Sequence, residues 1–146
     1  MEPSTKRRLA AILMADVVGY SRLMGEDEQA TLSTLTAHRE VFRIQIERRD
    51  GRVVNAPGDS ILAEFGSVVD SVAAAAEIQR VLAGKNAELP SDRAMHFRIG
   101  INLGDVLLKD GAIYGDGVNI AARLESLADP GGVCISRNAF DQVDAP

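Results

Sequence analysis

The order of strand-like and helix-like segments constrains the fold of this chain more than any other feature of its sequence. An apolar run of strand length precedes a long helical pattern; two short strands, a second helix and a fourth strand follow. The predicted segments are strand 9–15, helix 26–49, strands 52–54 and 61–65, a helix from 68 to a break at 84–86, and strand 95–101. This βαββαβ order is the ferredoxin-like arrangement, in which two split βαβ units share one antiparallel sheet. The predicted fold class is therefore α/β (α+β), with a ferredoxin-like core extended by further strands and helices.

The segments after this core predict the extension. They are a strand at 106–108, a turn at 110–111, a helix that includes 119–127 and a strand at 133–135. Apolar residues at helical spacing indicate which face of a helix is buried. On that basis the first helix should bury Leu32, Leu35, Phe42 and Ile46, and the last predicted helix Ile120, Leu124 and Leu127.

Size and charge limit the classes of protein to which the chain can belong. Its 146 residues suffice for one buried core, so we expect a single domain over 1–146. The net charge of -5 argues against a general affinity for nucleic acid or anionic membranes. The single Cys134 suits a reducing cytosol, and no apolar run approaches the roughly 20 residues that a membrane helix needs. We therefore expect a cytoplasmic domain without a membrane segment in this chain.

Two carboxylates, Asp16 and Asp59, lie at the ends of strands that a ferredoxin-like sheet makes neighbours. Asp16 follows the first strand and Asp59 precedes the third. Because these strands run antiparallel, the end of one lies beside the start of the other, and the two side chains should meet. Bare carboxylates at that distance raise one another's pKa unless divalent cations lie between them. Such a pair suits Mg²⁺ or Mn²⁺ carrying a nucleoside triphosphate.

The residues around Asp16 also predict a phosphate-binding turn. Val17, Val18, Gly19, Tyr20 and Ser21 follow the first strand directly. Glycine permits a tight turn there, and the backbone N–H groups of such a turn can face a phosphate.

Each of these features has an alternative, purely structural interpretation. Asp is common at strand ends and in Gly-Asp turns for conformational reasons alone. Asn119 and Arg123 are four residues apart, which places an amide and a fixed cation on one helix face, but a surface helix with an ordinary arginine has the same pattern. The pairing of matched strand ends favours metal binding over turn chemistry.

Four segments carry motifs that become recognisable when taken together. They are Ala15-Asp16-Val17-Val18-Gly19-Tyr20-Ser21, Gly58-Asp59-Ser60-Ile61-Leu62-Ala63-Glu64-Phe65, Arg98-Ile99-Gly100-Ile101-Asn102-Leu103-Gly104-Asp105-Val106 and Val118-Asn119-Ile120-Ala121-Ala122-Arg123. From about Leu9 to its end, the chain resembles a class III adenylate/guanylate (nucleotidyl) cyclase catalytic domain.

This resemblance implies an enzyme of second-messenger signalling, a phosphorus-oxygen lyase. It would convert ATP, or another nucleoside triphosphate, to the 3′,5′-cyclic nucleotide and pyrophosphate. Two Mg²⁺ or Mn²⁺ ions per active site would be held by Asp16, Asp59 and the carbonyl of Val17, in the two-metal arrangement of phosphoryl transfer. Asn119 would orient the ribose, and Arg123 would neutralise charge on the α-phosphate.

The resemblance also implies a partner. Family members are head-to-tail homodimers with shared sites, in which the two Asp residues of one subunit face the Asn and Arg of the other. The nucleoside triphosphate is the expected substrate, and the expected nucleotide-binding residues are Val18, Gly19, Tyr20, Ser21, Asn55, Gly58 and Ala112.

Two positions depart from the family pattern and bear on the choice of base. Adenylate cyclases of the family read the purine with a Lys three residues before the Gly-Asp turn and an Asp seven residues before the catalytic Asn. Here those positions hold Asn55 and Ala112. Alanine cannot accept the adenine amino proton, and a lost polar contact can change selectivity by orders of magnitude. Asp110 would substitute only if its loop shifted register.

Three other interpretations remain open at this stage. The domain could be a cyclase with altered base specificity, for GTP or a pyrimidine nucleotide, or a catalytically silent nucleotide-binding or dimerisation module. A polymerase-like or cyclic-dinucleotide synthase could share the sheet and both Asp residues, but it gives no reason for the Asn119 and Arg123 helix. The family pattern also includes a C-terminal strand pair that we expect residues 1–146 to lack.

Overall fold

The computed structural model describes residues 6–54 and 58–143, which form one sheet with helices on both faces. Its elements are β1 (Lys6–Val17), α1 (Tyr20–Glu26), α2 (Glu28–Arg48), β2 (Arg52–Val54), β3 (Ile61–Phe65), α3 (Val68–Asn86), β4 (Phe97–Lys109), β5 (Ala112–Tyr114), α4 (Asp116–Leu127), β6 (Val133–Ile135) and α5 (Arg137–Val143). Within these ranges, no helix is both long and apolar enough to cross a membrane.

The sheet confirms the predicted ferredoxin-like order. Its strands run β2-β3-β1-β4-β5, and β6 adds to β4 in parallel. β1 lies at the centre and pairs antiparallel with β3 on one side and with β4 on the other. β4 pairs with β1 from Lys6 to Val17, and β3 pairs with it from Ala11 to Ala15, so the second half of β1 is hydrogen-bonded on both edges.

Alternation along the strands divides the buried side chains between the two faces of the sheet. Leu13 and Ala15 belong to the larger cluster, which α2 and α3 cover with Phe42, Ile46, Ile78 and others. Ala10 and Ile12 belong to the smaller cluster on the opposite face, where α4 contributes Ala121. By the same alternation Asp16 follows Ile12 and Met14 onto the α4 face.

The predicted first helix, 26–49, corresponds to α2, and a short helix that was not predicted, α1, precedes it and meets it at Asp27. The backbone of Asp27 is extended, and its side chain accepts a hydrogen bond from the Ala30 N–H at 3.0 Å as the N-cap of α2. This cap separates α2 from α1, whose residues the sequence analysis had placed partly in the tight turn after the first strand. Of the predicted stripe, Leu35, Phe42 and Ile46 are buried, but Leu32 is 45% exposed.

Two other predicted elements differ in the structure. Residues 106–108 do not form a separate strand, because β4 continues without a break from Phe97 to Lys109. The predicted stripe of α4 is also wrong: Leu127 is 75% exposed and Ile120 and Leu124 are only half-buried, whereas the buried residues are Gly117 and Ala121. Small side chains face the sheet here because α4 lies very close to it.

Gly100 of β4 permits this close approach. A Cβ atom at this position would lie 2.3 Å from the Glu125 nitrogen and 2.5 Å from the Ala121 carbonyl oxygen. Both are backbone atoms of α4, which cannot move aside without moving the helix. The position of α4 on the sheet therefore depends on the absence of a side chain at residue 100.

The β4–β5 connection is a two-residue turn. Lys109 pairs with Ala112, and the residues between them, Asp110 and Gly111, have φ of 53° and 81°. Positive φ at both central positions is typical of a type I′ hairpin, whose twist matches that of the flanking strands. The turn places Asp110 at the tip and Ala112 at the start of β5, so the register shift considered for Asp110 does not occur.

His38 of α2 is buried beneath the sheet in a small polar network. Its Nε2 lies 3.1 Å from Oδ1 of Asn86, which also accepts the Met95 N–H at 3.0 Å. The Asn86 amide donates to the Met95 carbonyl at 2.9 Å. Burial lowers the pKa of His38, although the bond to Asn86 opposes this effect. The neutral imidazole and Asn86 thus join α2, α3 and the segment just before β4.

Substituting Gly100 by Ala should destabilise the fold. The new Cβ would meet two backbone atoms of α4, and overpacking of this kind costs about 1–3 kcal/mol or more. The matched control is Gly84→Ala in α3, where a Cβ meets nothing within 4 Å. Alanine there should be neutral or stabilising by up to about 1 kcal/mol. Urea unfolding of both variants measures the difference, and equal stabilities would contradict the close approach of α4.

The stability of the protein should depend on pH through His38. Because its folded-state pKa lies below the ordinary value of 6.5, the unfolded chain binds the proton first and stability falls as pH drops through that value. Replacing His38 with Gln should reduce the loss of Tm between about pH 7.5 and about pH 5.5. Other titrating groups are common to the proteins compared. Ser33→Ala, at an exposed position of α2 that does not titrate, is the control and should keep the wild-type slope.

Candidate functional site

The end of β1 and the start of β3 bring Asp16 and Asp59 to one backbone amide. The Val17 N–H donates to Oδ1 of Asp16 at 2.9 Å and to Oδ2 of Asp59 at 3.1 Å. Pairing of Ala15 with Ile61 sets this register, since the two carboxylates lie just beyond it on opposite strands. The juxtaposition predicted from strand order is therefore present.

The turn before β3 is held from the helix side. Gly58 has φ of 62°, in the left-handed region that favours glycine, and its carbonyl oxygen accepts a hydrogen bond from the Arg39 guanidinium of α2. This contact fixes the residue immediately before Asp59. Gly58 itself is exposed, whereas Asp16 and Asp59 are half-buried and Val17 is buried.

The electrostatic environment of the pair is strongly acidic. Burial, the neighbouring Asp59 carboxylate and the charge of Glu125 raise the pKa of Asp16 to about 7. Glu125 is half-buried on α4; burial raises its pKa, the positive charge of Arg98 lowers it, and the charge of Asp59 raises it. An unneutralised cluster of carboxylates at a strand end is unfavourable, and a divalent cation would remove the repulsion.

These groups fit a hard cation. Carboxylate and carbonyl oxygens are the ligands that Mg²⁺ and Mn²⁺ prefer, and Mg²⁺ typically uses one or two carboxylates together with substrate phosphates and water. Across residues 6–54 and 58–143, no group of three or more His, Cys, Asp or Glu side chains has a metal-binding arrangement. A two-carboxylate site thus leaves coordination positions for a ligand that brings its own oxygens.

The segment after Val17 forms the predicted tight turn. Gly19 has φ of 67° and precedes α1, and the Val18 N–H donates to the His96 carbonyl at 2.9 Å. That amide is engaged within the protein and is not free to bind a phosphate. Tyr20 packs against the larger core cluster, while Ser21 is exposed. The turn lies directly beside the carboxylate pair.

Asn119 and Arg123 lie on the side of α4 that faces away from the sheet. At about 100° per residue, these two positions are roughly opposite Gly117 and Ala121, which are buried against the strands. Both are exposed, and neither side chain has a hydrogen bond or ion pair with another described residue. Within one subunit, Asp16 and Asp59 share a hydrogen-bond donor, but neither Asn119 nor Arg123 forms a contact of this kind with them.

The remaining predicted residues concern the base. Ala112 is half-buried in the first position of β5. Asn55 lies outside the described residues.

Two residues near the pair were not singled out from the sequence. Glu125 reaches the site from α4, and Arg98 of β4 pairs by register with Asp16 while its Nε donates to the Ala128 carbonyl at 2.9 Å. The signal for Arg98 was available, because it occupies the position opposite Asp16 once β1 and β4 are paired. Glu125 could not be found without the packing of α4 on Gly100.

The sequence matches one protein family over nearly its full length. The family described as the adenylate and guanylate cyclase catalytic domain matches residues 3–144. Among curated relatives, a putative adenylate cyclase 3 of Rhizobium meliloti is 51% identical over 141 residues, covering 96% of this chain and 24% of the relative. An adenylate cyclase of Streptomyces coelicolor is 34% identical, covering 99% of this chain and 38% of the relative. The chain thus spans about a quarter to two fifths of these relatives.

Solved structures agree with this assignment. An adenylate/guanylate cyclase/hydrolase from Silicibacter pomeroyi is 39% identical with a TM-score of 0.88, and the match covers 98% of this chain and 86% of that one. The adenylyl cyclase CyaB from P. aeruginosa shares the fold, with a TM-score of 0.85 at 20% identity over 96% of this chain and 82% of that one. The motifs, the sheet order and these matches together establish that the chain belongs to the class III adenylate and guanylate cyclase catalytic domain family.

Proposed function

We propose that this domain converts a nucleoside triphosphate, ATP foremost, to the 3′,5′-cyclic monophosphate and pyrophosphate as a step in second-messenger signalling. The observation that carries the proposal is the convergence of Asp16 and Asp59 on the Val17 amide in a chain of this family. ATP is preferred as the substrate because two relatives, which match over 96% and 99% of this chain, are described as a putative adenylate cyclase and an adenylate cyclase.

Asp16, Asp59 and the Val17 carbonyl would hold two Mg²⁺ or Mn²⁺ ions. When bound, such ions lower the pKa of a coordinated hydroxyl and neutralise phosphate charge. The protein must supply both carboxylates in ionised form. Because the pKa of Asp16 is raised to about 7 by burial and by Asp59, cation binding competes with protonation of this residue near neutral pH.

The reaction is an in-line displacement within one substrate molecule. The ribose 3′-oxygen forms a bond to the α-phosphorus and loses its proton to solvent, while the bond between that phosphorus and the bridging oxygen breaks and releases pyrophosphate. Asn119 holds the ribose so that the 3′-oxygen is aligned for attack. Arg123 places its permanent charge and planar fork against the α-phosphate, where negative charge increases in the transition state.

A head-to-tail homodimer would complete the site. Asn119 and Arg123 are exposed and lie on the side of α4 opposite its buried face, whereas Glu125 on the buried side lies near Asp16 of the same chain. A side chain that faces away from its own sheet is available to a second subunit. In this arrangement the carboxylate pair of one subunit faces the Asn119 and Arg123 of its partner at each of two sites.

The residues at the two positions that select the base differ from the pattern of adenylate cyclases in this family. Ala112 offers no acceptor side chain, and the other base position holds Asn55. Relaxed selectivity, or use of GTP or a pyrimidine nucleotide, would follow if no other group reads the purine. Loss of catalysis with retained nucleotide binding or dimerisation is the second candidate function, favoured by the same substitutions.

The direct test uses the full-length protein with ATP, GTP, CTP and UTP in turn, in the presence of Mn²⁺. Cyclic monophosphate and pyrophosphate should appear in equal amounts, and Asp59→Asn should lower the rate by at least about a hundredfold, as removal of a main electrostatic contributor does. Asp92→Asn, the same change at an exposed position outside the predicted site, controls for general damage. If the folded wild type makes no product from any nucleotide, the binding-module function stands instead.

Mixing two inactive variants tests the shared site. Asp59→Ala and Arg123→Ala damage opposite halves, so a mixed dimer has one intact site. Random exchange of subunits should restore about a quarter of wild-type activity, because half of the dimers are mixed and each has one working site of two. Asp16→Ala mixed with Asp59→Ala is the control, since both damage the same half and no activity should return. Equal recovery in both mixtures, or in neither, would contradict the head-to-tail arrangement.

A further inference from the structure

A buried carboxylate lies between two arginines on the face of the sheet that α4 covers. Glu64 of β3 follows Leu62 of the smaller apolar cluster by strand alternation, and its side chain is only 7% exposed. One carboxylate oxygen accepts from Arg8 of β1, and the other accepts from Nη2 of Arg52 at 3.0 Å. Both oxygens of the buried anion therefore have a charged donor, as such a group requires.

Arg52 does more than neutralise Glu64. Its second terminal nitrogen, Nη1, donates to the carbonyl of Gly111 at 2.8 Å. Gly111 belongs to the β4–β5 turn, and three strand spacings separate β2 from β4 in the sheet, a distance of about 14 Å in a flat sheet. The β4–β5 hairpin must therefore fold across this face, and Arg52 connects its tip to the opposite edge strand.

The two ends of this connection lead to the positions that decide base selection under the proposed function. Gly111 immediately precedes Ala112, so a contact that fixes Gly111 in the two-residue turn also fixes the position of Ala112. Arg52 begins β2, whose three residues lead to position 55. A planar guanidinium that holds Glu64 with one nitrogen and Gly111 with the other has little freedom, so it fixes the hairpin relative to β2.

We propose that Arg52 is a positioning residue for nucleotide selection, which sets the β4–β5 turn and Ala112 relative to the β2–β3 hairpin. This inference rests on the proposed function, because it assumes that the nucleotide base lies between these hairpins. Arg52 does not itself react. Its role is to hold the backbone beside the base in a chain whose side chain at position 112 cannot form a polar contact.

The variant that tests this role is Arg52→Gln, compared with Arg8→Gln in the full-length protein. Both remove one charged partner of Glu64, but only the first removes the bond to Gly111. Arg52→Gln should change the ratio of kcat/KM for ATP over GTP by about fivefold, which corresponds to about 1 kcal/mol, mainly through KM. Arg8→Gln should lower Tm comparably and leave the ratio unchanged. Arg52→Lys, which keeps the charge without the fork, should fall between them.

Hydrogen exchange of the hairpin gives a second measurement that needs no catalysis. Amides in residues 106–114 should exchange faster in Arg52→Gln than in wild type, and Arg8→Gln should not show this change. If wild type makes no cyclic nucleotide, the proposed function fails, while faster exchange still supports the role of Arg52 in holding the β4–β5 hairpin. That role is overturned if exchange in the hairpin is unaffected. Equal loss of kcat/KM for both nucleotides in Arg52→Gln, or an altered ratio in Arg8→Gln, overturns the role in selection.

Discussion

Antiparallel pairing of β1 with both of its neighbours is the interaction on which the rest of the structure depends. β4 pairs with β1 over its whole length, and β3 pairs with its second half. This central position leaves Asp16 beside the turn that precedes β3 and opposite Arg98. The strand alternation that sends Leu13 and Ala15 to the larger core also sends Asp16 to the α4 face. Fold and site therefore share one set of backbone hydrogen bonds.

The same pairing creates an electrostatic cost that the fold alone does not relieve. Burial, the neighbouring Asp59 and the charge of Glu125 raise the pKa of Asp16 to about 7, and the Val17 amide that the two Asp side chains share opposes this rise only in part. A pair used only for turn geometry would not need to be half-buried next to a further acid. Perturbed acids with a specific charged neighbour are characteristic of functional sites. Elsewhere on this face the contrast is clear: Glu64 is more deeply buried but has two arginine partners.

One side of helix α4 packs against the sheet, and the opposite side is exposed. Its backbone approaches β4 closely at two points, where Gly117 faces Gly104 and where Ala121 and Glu125 face Gly100. The second contact brings Glu125 to the carboxylate pair. The opposite side presents Asn119 and Arg123 to the outside of the subunit. A close, rigid contact on one side gives the other a defined position, which any group that acts on a bound substrate requires.

The sequence by itself determined the order of elements, the ferredoxin-like pairing and the meeting of Asp16 with Asp59. These follow from local periodicity and from the few topologies that the order permits. Only the tertiary structure decided which side of α4 is buried, because apolar spacing favoured Ile120, Leu124 and Leu127 while the missing side chain at Gly100 favoured small residues. It also decided that Arg52 reaches Gly111 across three strand spacings. Such contacts depend on how the sheet and its hairpins bend in space, which the periodicity of residues along the chain does not encode.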